Sequence, residues 1–256
     1  MSLTKIEWTN DTLNPIIGCR RCSAGCDNCY AERMAARLAL VPGEVGERYR
    51  QVVDKRGRWN GKQVFVPEVL EKIAPKQKPR MIFAGSMSDW FYAGGLTGVR
   101  RCLERMLYCP QHTFQLLTKR AYEMRDFQRV VCPKGFPPNL WVGMSVEDNS
   151  RFSRIRKLRR VKAAVRFVSF EPLIGPIGGP CRLDGIDWAI IGCETGPGRR
   201  PMKLSWAEEL AASAREQNIP VFVKGLELDG LVVKDPSHPK WPAWAVRQWP
   251  ERAQCG

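Results

Sequence analysis

Cys19, Cys22, Cys26 and Cys29 place four thiols within eleven residues near the start of the chain. So dense a set of soft donors can hold an iron–sulfur cluster, hold a zinc ion or pair as disulfides. Disulfides are disfavoured because Met1–Trp8 lacks the apolar core of a signal peptide, and a chain kept in the cytoplasm keeps its thiols reduced. Zinc suits the two knuckle-like pairs, Cys19-x2-Cys22 and Cys26-x2-Cys29. Ribbons and fingers, however, separate such pairs by roughly a dozen residues or more, and only three lie between these. An iron–sulfur centre is therefore the leading expectation and structural zinc the next. The other six cysteines, Cys102, Cys109, Cys132, Cys181, Cys193 and Cys255, are scattered and read mostly as small core residues.

The spacing leaves the ligand set open. Cys22-x3-Cys26-x2-Cys29 is the arrangement by which radical S-adenosylmethionine (SAM) enzymes hold a [4Fe–4S] cluster through three thiolates, with the fourth iron open to the amino and carboxylate groups of SAM. Cys19-x6-Cys26-x2-Cys29 also supplies three ligands, with Cys22 a bystander or a fourth ligand. Four ligands would close the site and weaken an enzymatic reading. With only two histidines, His112 and His238, a histidine base or a multi-histidine metal site is disfavoured, and cysteines and carboxylates must supply the reactive groups.

The elements that position these groups follow from the apolar pattern. Strand-length apolar runs recur at Met81–Ser86, Thr113–Thr118, Leu140–Ser145, Arg166–Glu171, Trp188–Glu194 and Pro220–Lys224, each ending in a polar group. They repeat about every 30 residues, the period of a strand, a helix and two short loops. Helical patterns occupy Ala31–Ala39, Leu96–Tyr108, Asp148–Leu158 and Leu204–Gln217. With a first short strand around Thr12–Ile17, the expectation is a single α/β domain over 1–256, a parallel sheet curled into a full or partial (β/α) TIM-type barrel with an N-terminal cysteine loop. Sites in such folds form at the carboxyl ends of the strands. Ser86, Ser88, Asp89, Thr118, Lys119, Arg120, Ser145, Glu147, Ser169, Glu171, Glu194 and Lys224 would then converge on one mouth. Residues 41–80 interrupt the pattern as an excursion with a hairpin signal at Asn60-Gly61 and a short helix from Pro67. Residues 225–256 form a Trp- and Pro-rich tail, whose Trp241, Trp244 and Trp249 either close the barrel or stack on bases.

Composition points to the partner. The 256-residue chain is 44% hydrophobic and has no apolar run long enough for a transmembrane segment. Its 41 Lys and Arg against 26 Asp and Glu give a net charge of +15, so polyanions are the expected partners, nucleic acid or nucleotide first and acidic membrane second. Arg151, Arg154, Arg156, Lys157, Arg159, Arg160 and Lys162 crowd one helical stretch, and Lys55, Arg56 and Arg58 lie on the excursion. Each run is either a solvated face or a set of phosphate contacts.

Together, Lys5-Ile6-Glu7-Trp8-Thr9, Asn14-Pro15, Gly18-Cys19, Gly25-Cys26-x2-Cys29-Tyr30-Ala31-Glu32, Ser86-Met87-Ser88-Asp89, Leu117-Thr118-Lys119-Arg120, Ser145-Val146-Glu147-Asp148 and Glu171-Pro172-Leu173 carry a resemblance. Over most of its length the chain resembles the three-cysteine-motif phage-associated family of uncharacterised radical-SAM-like proteins. The resemblance implies a radical-SAM-like barrel of no settled reaction, with Cys19, Cys26 and Cys29 as the family's three cysteines. Cys22 falls where that family does not usually carry cysteine. Cys193 stands where it tends to show a second glycine, which puts a glycine-dependent SAM contact there in doubt.

The resulting functional expectation is a [4Fe–4S] enzyme that cleaves SAM reductively to a deoxyadenosyl radical and acts on a nucleic-acid or nucleotide substrate, drawing electrons from a reductant such as flavodoxin or ferredoxin. Tyr30 would pack on adenine. Ser86, Ser88, Asp89, Ser145, Glu147, Glu171 and Glu194 would contact SAM, and Lys119, Arg120 and Lys224 a carboxylate or phosphate. The rival expectations are a non-enzymatic iron–sulfur nucleic-acid-binding protein and a metal-dependent hydrolase or lyase with structural zinc.

Overall fold

The computed structural model describes residues 4, 6–75, 77–92, 96–179 and 181–251. Lys5 and Cys255 lie outside the described residues. The strands and helices run in the order β1 (Asp11–Leu13), β2 (Ile16–Ile17), α1 (Tyr30–Leu38), α2 (Glu44–Arg50), β3 (Val64–Phe65), β4 (Met81–Ala84), α3 (Leu96–Tyr108), β5 (Thr113–Thr118), α4 (Ala121–Val131), β6 (Leu140–Ser145), α5 (Ser153–Leu158), β7 (Arg166–Phe170), β8 (Trp188–Gly192), α6 (Leu204–Glu216), β9 (Val221–Leu228) and β10 (Leu231–Val233). The main sheet has the order β1-β4-β5-β6-β7-β8-β9-β10. All its pairs are parallel except the antiparallel β9–β10.

Side-chain alternation along the strands builds two cores. Residues such as Ile82, Leu116, Val142, Val168 and Ile191 face the helical layer and are almost wholly buried. The alternate positions Phe83, Trp141, Phe167, Trp188 and Phe222 form a second, aromatic core around Trp8. The Trp8 ring lies 4.8 Å from that of Phe83 on β4 and 6.1 Å from that of Trp188 on β8. Four strand spacings in a flat sheet would separate β4 from β8 by about 19 Å, so one indole can touch both only because the sheet curls around it. The curl yields a half-barrel open between β1 and β10, which settles the full-or-partial alternative for an open form. Burying each of these rings contributes about 2–3 kcal/mol.

Several sequence expectations are corrected. The first strand is two pieces, since β1 joins the main sheet while β2 pairs antiparallel with β3 of the excursion. Helix α4 was not marked by the apolar pattern, and the β7–β8 connection carries no helix among its described residues. The hairpin in the excursion turns at Asp54–Gly57, where Asp54 N–H donates to the Arg58 carbonyl at 2.7 Å and Gly57 has φ +72°. Asn60 instead uses its amide to bond the Gln51 and Val53 carbonyls. The Trp- and Pro-rich tail begins as strand, since β9 continues to Leu228 and turns through Asp229-Gly230 into β10 (Leu231–Val233). The tail tryptophans pack inward: Trp241 and Trp244 lie against the helical-side core, and Trp249 meets Phe222 edge-on at 4.9 Å. Among the described residues, no helix is long and apolar enough to cross a membrane.

Candidate functional site at the cysteine loop

At the carboxyl ends of the parallel strands the aromatic core gives way to a cavity of about 360 Å³. Ile6, Trp8, Phe83 and Leu117 line its apolar part, whereas Lys119, Ser145, Ser169, Glu171, Glu194 and Lys224 supply polar groups. The change comes from continuing the two-residue alternation by one or two steps, from Phe167 to Ser169 and Glu171 and from Leu117 to Lys119. Lys224 follows from Phe222 in the same way and sits at an irregularity. Ile191 pairs with Val223 but Gly192 pairs with Gly225, so Lys224 is the extra residue of a bulge. It meets Glu171 at 2.5 Å. Cys193 lines the same wall, and burial with the Glu171 charge pushes its thiol up to about 11.

The cysteine loop closes one side of this cavity through Gly25, Asn28, Cys29 and Tyr30. It is pinned by residues other than its cysteines. Arg21 donates to Glu32 of α1, Nε–Oε2 3.0 Å, and the same buried carboxylate accepts the Trp59 N–H of the excursion. Ser23 donates to Glu147 Oε1 at 2.5 Å, and Arg154 holds the other carboxylate oxygen at 2.6 Å. Asn28 donates to Glu194 at 2.9 Å and to the Gly198 carbonyl at 2.7 Å. Arg200 pairs with Glu194 and reaches the Ala24 carbonyl at 2.9 Å. Arg120 donates to the Arg20 carbonyl at 2.7 Å.

Two glycines make this packing possible. Gly18 has φ +95°, and a Cβ there would lie 2.2 Å from the Lys62 carbonyl oxygen. At Gly25 a Cβ would fall 2.4 Å from Glu147 Cγ, so the loop can approach that carboxylate only without a side chain.

The thiols make few contacts beyond one between Cys22 and Cys26. Cys19 Sγ is 3.7 Å from the Arg20 carbonyl and Cys26 Sγ is 4.0 Å from Ser23 Oγ. Burial, with Asp89 and Cys29 adding to it, pushes the Cys19 thiol up to about 12. Cys26 is held below the ordinary thiol range by its contact with Cys22 and by the Lys119 cation. The four thiols thus share one rigid loop backed by Lys119 and Arg120. Among the described residues, no three thiols, imidazoles or carboxylates close on one point. Soft donors on one loop, with cations to offset thiolate charge, fit a thiolate-held metal centre.

The sequence-selected residues divide. Cys29, Tyr30, Lys119, Ser145, Ser169, Glu171, Glu194 and Lys224 line the cavity. Asp89 does not line it. It accepts from Thr118 Oγ1 at 2.7 Å and from the Lys119 N–H at 3.0 Å, fixing the turn that presents Lys119. Glu147 and Arg120 hold the loop from outside, and Cys22 faces an outer hollow. Ser86 supports Tyr30, whose hydroxyl donates to the Ser86 carbonyl at 3.0 Å, and Ser88 meets Gly18 through a parallel bridge. His112 is buried edge-on to Phe114 and does not line the cavity. Arg21, Ser23, Asn28, Glu32 and Arg200 were missed. For the first four, closeness to the cysteines was the available signal. Arg200 gave none, since it lies far along the chain in a loop.

No curated protein and no solved structure matches the chain. A family match spans residues 3–228, well over half of the sequence. The chain belongs to the family described as "Protein of unknown function (DUF5131)".

Proposed function

We propose that this protein is a radical-SAM-like enzyme that holds a [4Fe–4S] cluster on the cysteine loop and acts on a nucleic-acid or nucleotide substrate. The observation that carries the reading is the contrast within the loop, where Arg20, Arg21, Ser23, Ala24 and Asn28 are all tied down while the thiols are left for something else. The resemblance to the three-cysteine-motif phage-associated family supports it. A cluster held there would supply the electron for reductive cleavage of SAM, having received it from an external reductant.

The chain's own residues bind and orient. Cys26 and Cys29 are ligands, with Cys19 as the third by the family resemblance, and Cys22, which contacts Cys26 but faces the outer hollow, as the alternative. The apolar part at Trp8, Phe83 and Leu117 accepts a planar base and excludes water from it. Lys119 has no carboxylate within ion-pair distance among the described residues and offers its charge to a carboxylate or phosphate. Although burial opposes its charge, the Glu147 carboxylate, with the Cys26 and Cys29 sulfurs when they are thiolates, holds the ammonium above its ordinary range. Glu171 accepts from an ammonium or a ribose hydroxyl, with Lys224 beside it for the opposite charge.

Protein prepared without oxygen and with iron and sulfide is expected to be brown, to contain about four irons per chain, and to release 5′-deoxyadenosine from SAM under a strong reductant. Cys26→Ala and Cys29→Ala should abolish the colour, and Cys19→Ala should do so where Cys22→Ala does not. A colourless protein holding one zinc would sink the proposal. A stable cluster with no SAM binding would leave only the non-enzymatic form.

A further inference from the structure

Behind the cysteine loop, Cys22 opens onto a hollow of about 230 Å³ between the start of α4 and the segment leading through α5. Lys119, Arg120, Arg151, Arg154 and Lys157 line it, against one carboxylate, Glu123. Arg154 is committed to Glu147. Arg120 lies over the Tyr92 ring at 4.8 Å, and neither Arg151 nor Lys157 has an ion-pair partner among the described residues. Tyr122 stands at the edge of the hollow, 57% exposed, with Lys157 Nζ 4.4 Å from its ring centre. Lys119 lines this hollow and the inner cavity alike.

We infer that the groove beside Cys22 binds the sugar–phosphate backbone of a single-stranded nucleic acid, with phosphates on Arg151 and Lys157, a base on Tyr122, and Lys119 at the point where the strand's reactive nucleotide turns into the cavity. This deepens the proposed function and rests on its nucleic-acid reading. Cations that lack carboxylate partners leave their charge for an external anion, and a net charge of +15 draws a polyanion before a mononucleotide. An exposed tyrosine beside cations is the pairing that holds single strands, where phosphates take the charge and bases stack on the ring. The strand must be single, or locally opened, because a stacked and paired base cannot enter a cavity bounded by Cys29, Tyr30 and the strand ends.

The test is fluorescence anisotropy of a labelled single strand of about 12 nucleotides, DNA and RNA in turn, titrated with the full chain at several salt concentrations. The unmodified protein is expected to bind at low salt and to lose affinity steeply as salt rises. Arg151→Ala with Lys157→Ala should weaken binding about tenfold or more and reduce the log–log salt slope by about 1.4, two single-strand phosphate contacts. Tyr122→Ala should weaken binding with the slope unchanged. Lys55→Ala with Arg56→Ala, on the exposed turn of the excursion, should change little. Equal loss in that control would make the binding a property of overall charge and overturn the groove, as would tighter binding of a blunt duplex or no binding at low salt. The readout does not pass through the cluster. Binding without SAM cleavage would sink the proposed reaction and leave the groove, whereas SAM cleavage without oligonucleotide binding would do the reverse.

Discussion

Glu147 and Glu171 follow neighbouring strands, β6 and β7, yet they serve different neighbours. Glu147 is fully buried, with one oxygen taken by Ser23 of the cysteine loop and the other by Arg154. Glu171 lines the cavity, and Lys224, with which it pairs, lines the cavity too. Glu194 does both, since Asn28 and Arg200 hold it and it also lines the cavity, whereas Ser145 and Ser169 belong with Glu171. Polar residues at the strand ends of a half-barrel thus take two roles, and Glu194 takes both. One fixes the loop that carries the thiols, and the other faces the space that loop encloses.

The largest effect is expected where the loop-fixing residues are most buried. The Glu147 and Arg154 side chains are 1% and 9% exposed. Glu147→Gln leaves the guanidinium without its counter-charge, and breaking a pair buried this deeply costs about 3–5 kcal/mol. Gly25→Ala attacks the same contact from the loop side, because its Cβ would fall 2.4 Å from Glu147 Cγ and that carboxylate is held at both oxygens. Both variants should lower the midpoint of urea unfolding and loosen the loop, read as faster alkylation of its cysteines. Should either variant unfold at the wild-type midpoint, the division into two roles fails at its clearest member.

Glu194 gives a smaller effect with a pH signature. Burial pushes its carboxyl pKa up, but the Arg200 and Asn28 hydrogen bonds outweigh this and hold it below 4.5. A carboxylate whose folded value is depressed stabilises the fold fully above its unfolded value, and that contribution is lost as pH falls through the folded one. Stability should therefore drop on acidification below about 4.5. Glu194→Gln should remove that part of the acid limb and cost about 1–2 kcal/mol at neutral pH, less than at Glu147 because Arg200 is 31% exposed and screened by water. Thermal unfolding of both proteins between pH 3 and pH 7 checks this, and parallel acid limbs would remove Glu194 from the loop-holding group.

How much of this was legible in the sequence depends on the range of the interaction. Period-two alternation with polar ends marked β4 to β9 and the cavity-facing Ser145, Ser169, Glu171 and Lys224, because that pattern is local. It could not tell Glu147 from Glu171, since the difference lies in Ser23 and Gly25, more than a hundred residues away in the chain. The open edge of the sheet was also hidden, because closure depends on whether β1 and β10 meet, which no single strand records. Helix α4 was overlooked because its apolar positions, Met124 and Phe127 among them, alternate with charges inside a stretch bounded by Arg120 and Cys132. Asn60-Gly61 misled through turn chemistry, as its amide was wanted for the Gln51 and Val53 carbonyls.

The smallest effect sharpens the comparison from the other side. Ser145 and Ser169 are each 1% exposed, as deeply buried as Glu147, yet neither hydroxyl bonds another protein group among the described residues. Removing a buried hydroxyl is costly when it strands a partner, and here no partner is left behind. Ser145→Ala and Ser169→Ala are therefore expected to change stability by less than about 0.5 kcal/mol, a shift of about 1–2 °C in Tm for a chain of this size. If the proposed function holds, the same changes weaken SAM or substrate binding about fivefold to tenfold, because the ligand then loses the hydrogen bond that the hydroxyl supplied. Burial alone would make these serines resemble Glu147. A loss of more than about 1 kcal/mol in either variant would show that burial, and not the neighbour across the strand end, decides which residues hold the fold.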